Sequence, residues 1–206
     1  MPDGSCRRRA KVSQWRSQWK QGHPLRYFAS PPFTPDQAMP RIHDRRFLDG
    51  RDTHAPMARI DDALPAVAAI YRSAVQTVGP AYYDADQVAA WAAAADNPTA
   101  LGETLARGLA ILRTVDGWPA ALGQVGANGH VGLLYVHGDF GRQGHGGQLL
   151  VQLLDHARRN GAAQATIDAS RFSARLAARH GFRVEAEERP EYAGVRFTRW
   201  RMRKPL

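Results

Sequence analysis

Between Tyr135 and Gly147 the chain reads Tyr-Val-His-Gly-Asp-Phe-Gly-Arg-Gln-Gly-His-Gly-Gly, and this segment limits the folds open to it more than any other. Gly138, Gly141, Gly144, Gly146 and Gly147 fall within ten residues, so the backbone there can adopt positive φ and approach a ligand closely. The stretch before it, Val131-Gly-Leu-Leu-Tyr-Val136, is short, apolar and β-prone, as a strand covered on both faces should be. After it, Leu149, Leu150, Leu153, Leu154 and Ala157 recur at helical spacing. Arg158 and Arg159 fill the last turn, and Gly161 occupies a C-cap position. Strand, glycine turn and helix together form an anion cradle, because the unpaired N–H groups and positive dipole end of the helix face the turn. A pyrophosphate fits that description, whereas a flexible glycine-rich connection is the reading without a ligand. Two other phosphate loops match poorly: no Gly-Lys-Ser/Thr follows the glycines, and no G-x-G-x-x-G precedes an acidic residue about twenty positions on.

The 206 residues, 44% of them apolar, are enough for one domain with its own core. No apolar run approaches the roughly eighteen residues of a membrane span. The one cysteine, Cys6, excludes intramolecular disulfides and cysteine zinc sites, and the eight histidines show no ligand spacing. No metal is therefore expected, no membrane contact, and a reducing, cytoplasmic setting. The net charge of +9 is unevenly placed, since residues 1–56 hold 11 of the 28 Lys/Arg and seven of the 13 prolines. That segment lacks sustained periodicity and reads as a disordered basic extension, with the folded domain spanning 57–206. Arg7-Arg-Arg9 with Trp15 and Trp19 could dock on nucleic acid; a solvated tail, or a stretch added by an early start codon, fits equally. Prolines and glycines argue against a transit peptide.

Helices are expected from Asp61 or Asp62 to about Val78, at about 84–95, at 98–107 and at 171–180, the last stopped by Gly181. Strands are expected at 108–113 and 119–125 around the turn Asp116-Gly117, at 165–169, and near 182–188 and 194–203. A further strand before the first helix would fall near Thr53–Arg59, where Pro56 opposes a ladder.

The run Leu134-Tyr-Val-His-Gly-Asp-Phe-Gly-Arg-Gln-Gly-His-Gly146 resembles motif A of the GNAT acetyltransferase superfamily, V-x-x-x-x-(Q/R)-x-x-G-x-(G/A). Val136, Gly144 and Gly146 take the motif positions. Gly141 stands where the family has Gln or Arg, and Gly138 replaces a common proline. Ile60–Tyr71 is similar to the family's first helix, and Tyr83-Asp-Ala-Asp-Gln-Val-Ala-Ala-Trp91 to the Y-x-x-x-Q-x-x-A-W segment of a bacterial small-molecule subgroup. Arg179-His-Gly-Phe-Arg183 and Phe197–Leu206 resemble its last helix turn and last strand. The resemblance implies an α/β fold with a mixed, largely antiparallel sheet flanked by helices on both faces. It also implies acetyl-CoA as co-substrate, bound along Leu134, Tyr135 and Val136 and by Arg142, Gln143, Gly144, His145, Gly146 and Gly147. Tyr83, Gln87 and Trp91 would line the acceptor site, against a core-packing role for Trp91. Arg171 and Arg175 would touch the coenzyme's ribose phosphate or sit on a solvated helix face.

Acetyl transfer to an amine needs a neutral nucleophile beside the thioester, oxyanion donors and an acid for the thiolate. The resemblance places that acid, a tyrosine, four residues before the glycine of the last helix, where this chain has Ala177. An acidic base would stand on the strand before the loop, where Gly132 and Gly126 occur. His130, sharing strand parity with Leu134 and Val136, is the candidate base, ahead of His137, which faces the other way; a solvent-facing strand-end histidine is the structural reading of both. The chain is thus expected to be an N-acetyltransferase, a monomer or homodimer acting on a small-molecule amine. A coenzyme A-binding module with weakened catalysis and a nucleic-acid binder using the basic tail are the rivals.

Overall fold

Residues 40–54 and 58–206 are described in a computed structural model. Strand β1 is Ile42–Leu48, β2 Arg51–Asp52, β3 Leu109–Val115, β4 Trp118–Val125, β5 His130–Val136 and β6 Gln164–Ala169. β7 is Arg183–Glu188, β8 Glu191–Tyr192, β9 Val195–Arg196 and β10 Arg199–Pro205. Helix α1 is Leu64–Val78, α2 Ala85–Ala93, α3 Pro98–Leu105, α4 His145–Arg159 and α5 Ser173–Arg179. Eight strands make one sheet in the order β2-β1-β3-β4-β5-β6-β10-β7, while β8 and β9 form a separate hairpin. Every pairing in the large sheet is antiparallel except β5 with β6.

The first strand is not where the sequence placed it. It lies at Ile42–Leu48, inside the segment read as an extension, and all seven residues pair with β3, from Ile42 opposite Val115 to Leu48 opposite Leu109. Phe47 is fully buried. The folded unit therefore begins before residue 57; the expectation of disorder for residues 1–39 lies outside the described residues. In the Thr53–Arg59 region the described residues show an isolated bridge between Arg51 and Arg59 and no strand; residues 55–57 lie outside the described residues.

Alternation along each strand divides the core in two. On one face, α1, α2 and α3 cover Phe47, Ala110, Leu112, Leu122 and Leu133, with Val67, Ile70 and Tyr71 supplied by α1. On the other, α4 lays Leu149, Leu150, Leu153 and Leu154 against Ile111, Ala121, Val125, Val131 and Ile167, and Ala177 and Phe182 extend that cluster. Gly123 permits the close approach of α4, since a Cβ there would sit 2.9 Å from Leu153 Cδ1. Helix α2 starts at a reciprocal cap: Asp84 Oδ1 accepts from the Gln87 amide at 2.8 Å, and Gln87 Oε1 accepts from the Asp84 amide at 3.1 Å. Among the described residues no helix is long and apolar enough to cross a membrane.

Candidate active site

The glycine segment forms a strand, loop and helix as its sequence predicts. β5 ends at Val136, a short 3₁₀ turn runs Gly138–Phe140, and α4 starts at His145 with Gly144 as N-cap at φ 86°. The first backbone bond into the helix is from Gln148 N–H to Gly144 O at 3.1 Å. The His145, Gly146 and Gly147 amides precede it and have no acceptor in their own helix. Arg142, exposed at φ 62°, and Gly144 turn the chain into the first turn of α4. The glycines have different reasons for being glycine. A Cβ on Gly146 would lie 3.4 Å from both Leu176 and Val136, and one on Gly147 would lie 3.2 Å from His180 Nε2, so both serve the packing of α4. Gly138 sits against α1: its amide donates to Ser73 Oγ at 3.1 Å, and an added Cβ would collide with Thr77. Gln143 donates to Asp139 O within the loop.

His145 turns inward rather than toward a ligand. It is 5% exposed, packs near Phe140, and has Arg113 Nη1 3.5 Å from its Nδ1; its Nε2 is buried with no partner among the described residues. Burial, reinforced by the Arg113 charge, lowers its pKa and keeps the ring neutral.

Beside the loop, β5 and β6 separate. Their pairing covers only His130 opposite Thr166 and Val131 opposite Ile167, so Leu134, Tyr135 and Val136 reach the loop with an edge that β6 does not share. A register shift against β4 accompanies the parting: Val125 faces Val131 while Gln124 faces Leu133, which leaves Gly132 without a ladder partner as the extra residue of a bulge. Gln124 Oε1 would lie 2.5 Å from a Cβ at Gly132, so a side chain there would displace the Gln124 carboxamide.

The bulge also overturns the parity argument for His130. Val131, Leu134 and Val136 pack on the α4 side and Leu133 and Tyr135 on the α1 side, so the alternation slips at Gly132 and His130 lies on the face opposite Leu134 and Val136. Its Nδ1 lies 3.0 Å from Thr166 Oγ1 at the closed end of the gap. His137 is near Asp139 at the loop, where burial lowers its pKa.

On the α1 face, aromatic residues from four parts of the chain meet beside the gap. The rings of Tyr71 and Tyr135 are 4.2 Å apart, Trp91 packs against Tyr83, Tyr135 and Phe197, and Tyr192 reaches Phe197 from the β8–β9 hairpin. Trp91 Nε1 donates to Tyr135 Oη at 3.3 Å, and the Arg171 amide donates to Tyr83 Oη at 3.1 Å. The structure thus brings Tyr83, Gln87 and Trp91 together, although Gln87 spends its amide on the helix cap and on Arg196 O at 2.7 Å. Desolvation raises the pKa of Tyr71, and raises that of Tyr135 well above the usual phenol value, with the neighbouring Tyr71 adding to the effect. Both remain neutral hydroxyls at physiological pH.

Five residues in this region, Thr166, Asp168, Glu188, Tyr192 and Arg199, leave no local signal in the sequence. Thr166 and Asp168 project to the α1 face because Ala165, Ile167 and Ala169 fill the α4-side core. On β10, Arg199 donates to Glu188 and lies 3.1 Å from Asp168, and its Nη1 donates to Tyr192 Oη. Burial alone would lower the Arg199 pKa, but the Glu188 hydrogen bond and the Asp168 charge outweigh it and raise the value. Asp168 meets Arg199 through the β6–β10 pairing, and Glu188 and Tyr192 meet it through β7 and the β8–β9 hairpin, contacts that local pattern does not reveal. Ala177, at the position of the family tyrosine, is buried in the α4-side core. Arg171 and Arg175 are exposed at the start of α5. Among the described residues, no cluster of three or more His, Cys, Asp or Glu is placed to hold a metal.

A family model described as an acetyltransferase (GNAT) domain matches residues 81–204. The chain belongs to the GNAT acetyltransferase family. Among solved structures, a GCN5-related N-acetyltransferase from Rhodopseudomonas palustris superposes with a TM-score of 0.70 at 25% identity, covering 82% of this chain and 97% of that one. The PaiA N-acetyltransferase from Thermoplasma acidophilum, solved with coenzyme A, gives 0.60 at 14% identity over 81% of this chain and 99% of its own. A ribosomal-protein-alanine N-acetyltransferase from Brucella melitensis gives 0.54 at 19% identity, over 71% and 96%. No curated protein sequence matches. Membership in the GNAT family agrees with the mixed sheet, the parted parallel strands and the glycine loop.

Proposed function

We propose that this protein is an acetyl-CoA-dependent N-acetyltransferase that moves an acetyl group to the amine of a small molecule. The observation that carries the reading is the gap between β5 and β6, which opens after Val131 and Ile167 and leads to the free amides at the start of α4. The pyrophosphate lies on the amides of Gly144–Gly147, Arg142 adds a charge from the loop, and the pantetheine arm pairs with the open edge of Leu134–Val136. The coenzyme A in the Thermoplasma structure supports this assignment. The acyl group then falls near the bulge, and the backbone amide of Gly132, where the register skips, is the candidate donor for the developing oxyanion. The aromatic cluster of Tyr83, Trp91, Tyr135, Tyr192 and Phe197 borders the same end of the gap and offers a wall for the acceptor.

With Ala177 in place of a phenol, the thiolate takes its proton from solvent, and positioning supplies most of the rate. Calorimetry with coenzyme A, followed by thiol release from acetyl-CoA across a panel of primary amines, tests the proposal. Binding with amine-dependent thiol release is expected. Binding without turnover would favour a coenzyme A-responsive module, a reading motivated by the buried Ala177.

A further inference from the structure

Resting on that acetyltransferase reading, we propose that Asp168 is the group that takes the proton from the acceptor amine. β6 pairs with β5 through Thr166 and Ile167 and then parts from it, so Asp168 is the first residue of β6 beyond the last shared pair. Alternation puts its side chain on the α1 face, with the aromatic cluster, and away from α4. The opposite bank, β5 from Gly132 to Val136, carries no carboxylate, and His130 lies behind the last pair with its ring against Thr166. Asp168 is therefore the acidic side chain at the mouth of the gap, close to where the thioester arrives beside the Gly132 bulge.

Its surroundings hold it in place. Arg199 Nη1 lies 3.1 Å from Asp168 Oδ2 while Nη2 contacts Glu188 at 2.7 Å, and Glu188 is held in turn by Arg201 at 3.2 Å. Arg201 is also the register partner of Asp168 on β10. Tyr192 touches Arg199 from the hairpin, and Thr166 is the neighbour on the same strand face. The charges of Asp168 and Glu188 are matched by Arg199 and Arg201, and the Asp168 carboxylate is partly open to solvent. The amine nitrogen attacks the thioester carbonyl carbon, forming the C–N bond as the C–S bond breaks. The proton leaving nitrogen passes to the Asp168 carboxylate and on to water, and the coenzyme thiolate is protonated by solvent. A carboxylate serves here because attack makes the amine nitrogen strongly acidic.

Position is tested without knowledge of the acceptor. In a Cys6→Ser background, Asp168→Cys incubated with coenzyme A disulfide should form a mixed disulfide, seen as one coenzyme adduct by mass spectrometry. Glu185→Cys, on the outer strand β7, should remain unmodified. Function is then tested with Asp168→Asn on benzylamine, tryptamine and spermidine, where kcat/KM should fall about 10²- to 10³-fold with coenzyme A affinity unchanged. Asp168→Glu, which keeps a carboxylate, should recover part of the turnover that Asp168→Asn loses. That rescue separates proton transfer from support of the fold. Coenzyme A binding without an adduct at position 168 would overturn the proposal. So would wild-type turnover in Asp168→Asn, whereas a wild type silent on every amine would remove the acetyltransferase reading itself. Failure of the wild type to bind coenzyme A would likewise remove the reading beneath it.

Discussion

Arg113 on β3 clasps Asp44 on β1 with two hydrogen bonds, from Nε to Oδ1 at 2.7 Å and from Nη2 to Oδ2 at 2.8 Å. The same guanidinium donates to Gln148 of α4 at 2.6 Å, and Asp44 accepts from Gln152 at 3.0 Å. A buried ion pair thus ties the edge of the sheet to the helix whose N-terminus borders the proposed coenzyme site. Desolvation opposes ionisation of Asp44, but the hydrogen bonds from Arg113 and Gln152 outweigh it and lower the carboxyl pKa.

Asp44→Ala should cost about 3 kcal/mol, because it leaves a nearly buried guanidinium without its counter-charge. A fall in Tm of roughly 10 °C by calorimetry would match. Since the folded pKa is depressed, the stabilisation is complete above the unfolded carboxylate value of about 3.9 and disappears as pH falls through the folded value. The gap between wild type and variant should therefore narrow in denaturant titrations below about pH 4. A constant gap across pH would show that the pair contributes through packing alone.

Strand β1 is also where the sequence was least legible. Ile-His-Asp-Arg-Arg-Phe-Leu offers one fully buried residue, Phe47, and its other contacts are ladder bonds and polar or charged ones, among them Asp44–Arg113, Arg45–Asp52 and Arg46–Gln152. Apolar periodicity detects neither. The segment around Gly144 was legible because a buried strand, a glycine run and an amphipathic helix each leave a local pattern, and all three agree. The bulge at Gly132 was hidden, since a parity argument assumes an unbroken ladder, and one extra residue placed His130 on the wrong face. The pairing of Tyr71 with Tyr135, and the approach of Phe197 to Trp91, join segments far apart in the chain and became visible only in the fold.

Truncation should locate the boundary of the folded unit. Removal of residues 1–38 should leave Tm and coenzyme A affinity within error, as the proline-rich, aperiodic composition of that segment implies. Removal of residues 1–48 deletes Phe47 and all seven β1–β3 pairs and should abolish cooperative unfolding above room temperature. Equal melting curves for the two truncations would mean that β1 is dispensable.

The loop glycines should separate by role. Gly144→Asp places a Cβ at φ 86° and a carboxylate among the free amides, so coenzyme A binding should be lost in calorimetry while Tm drops by only a few degrees. Gly138→Val should behave oppositely. Its side chain collides with Thr77 on α1 and forces the loop off the helix, lowering Tm as well as affinity. If Gly144→Asp binds coenzyme A with wild-type affinity, the amides of α4 are not the pyrophosphate site.

His130 offers the sharpest contrast with Asp168. The two side chains share the α1 face of the sheet, but His130 precedes the last β5–β6 pair and spends Nδ1 on Thr166, whereas Asp168 follows it. His130→Ala should therefore cost about 1 kcal/mol of stability for the lost hydrogen bond. It should leave kcat/KM within about threefold of wild type on any amine that the enzyme acetylates, with the acidic limb of the pH profile in place. A loss of two orders of magnitude in this variant, with that limb removed and Asp168→Asn fully active, would reverse the assignment. The proton would then leave through the closed end of the gap, by way of the histidine, rather than at its mouth.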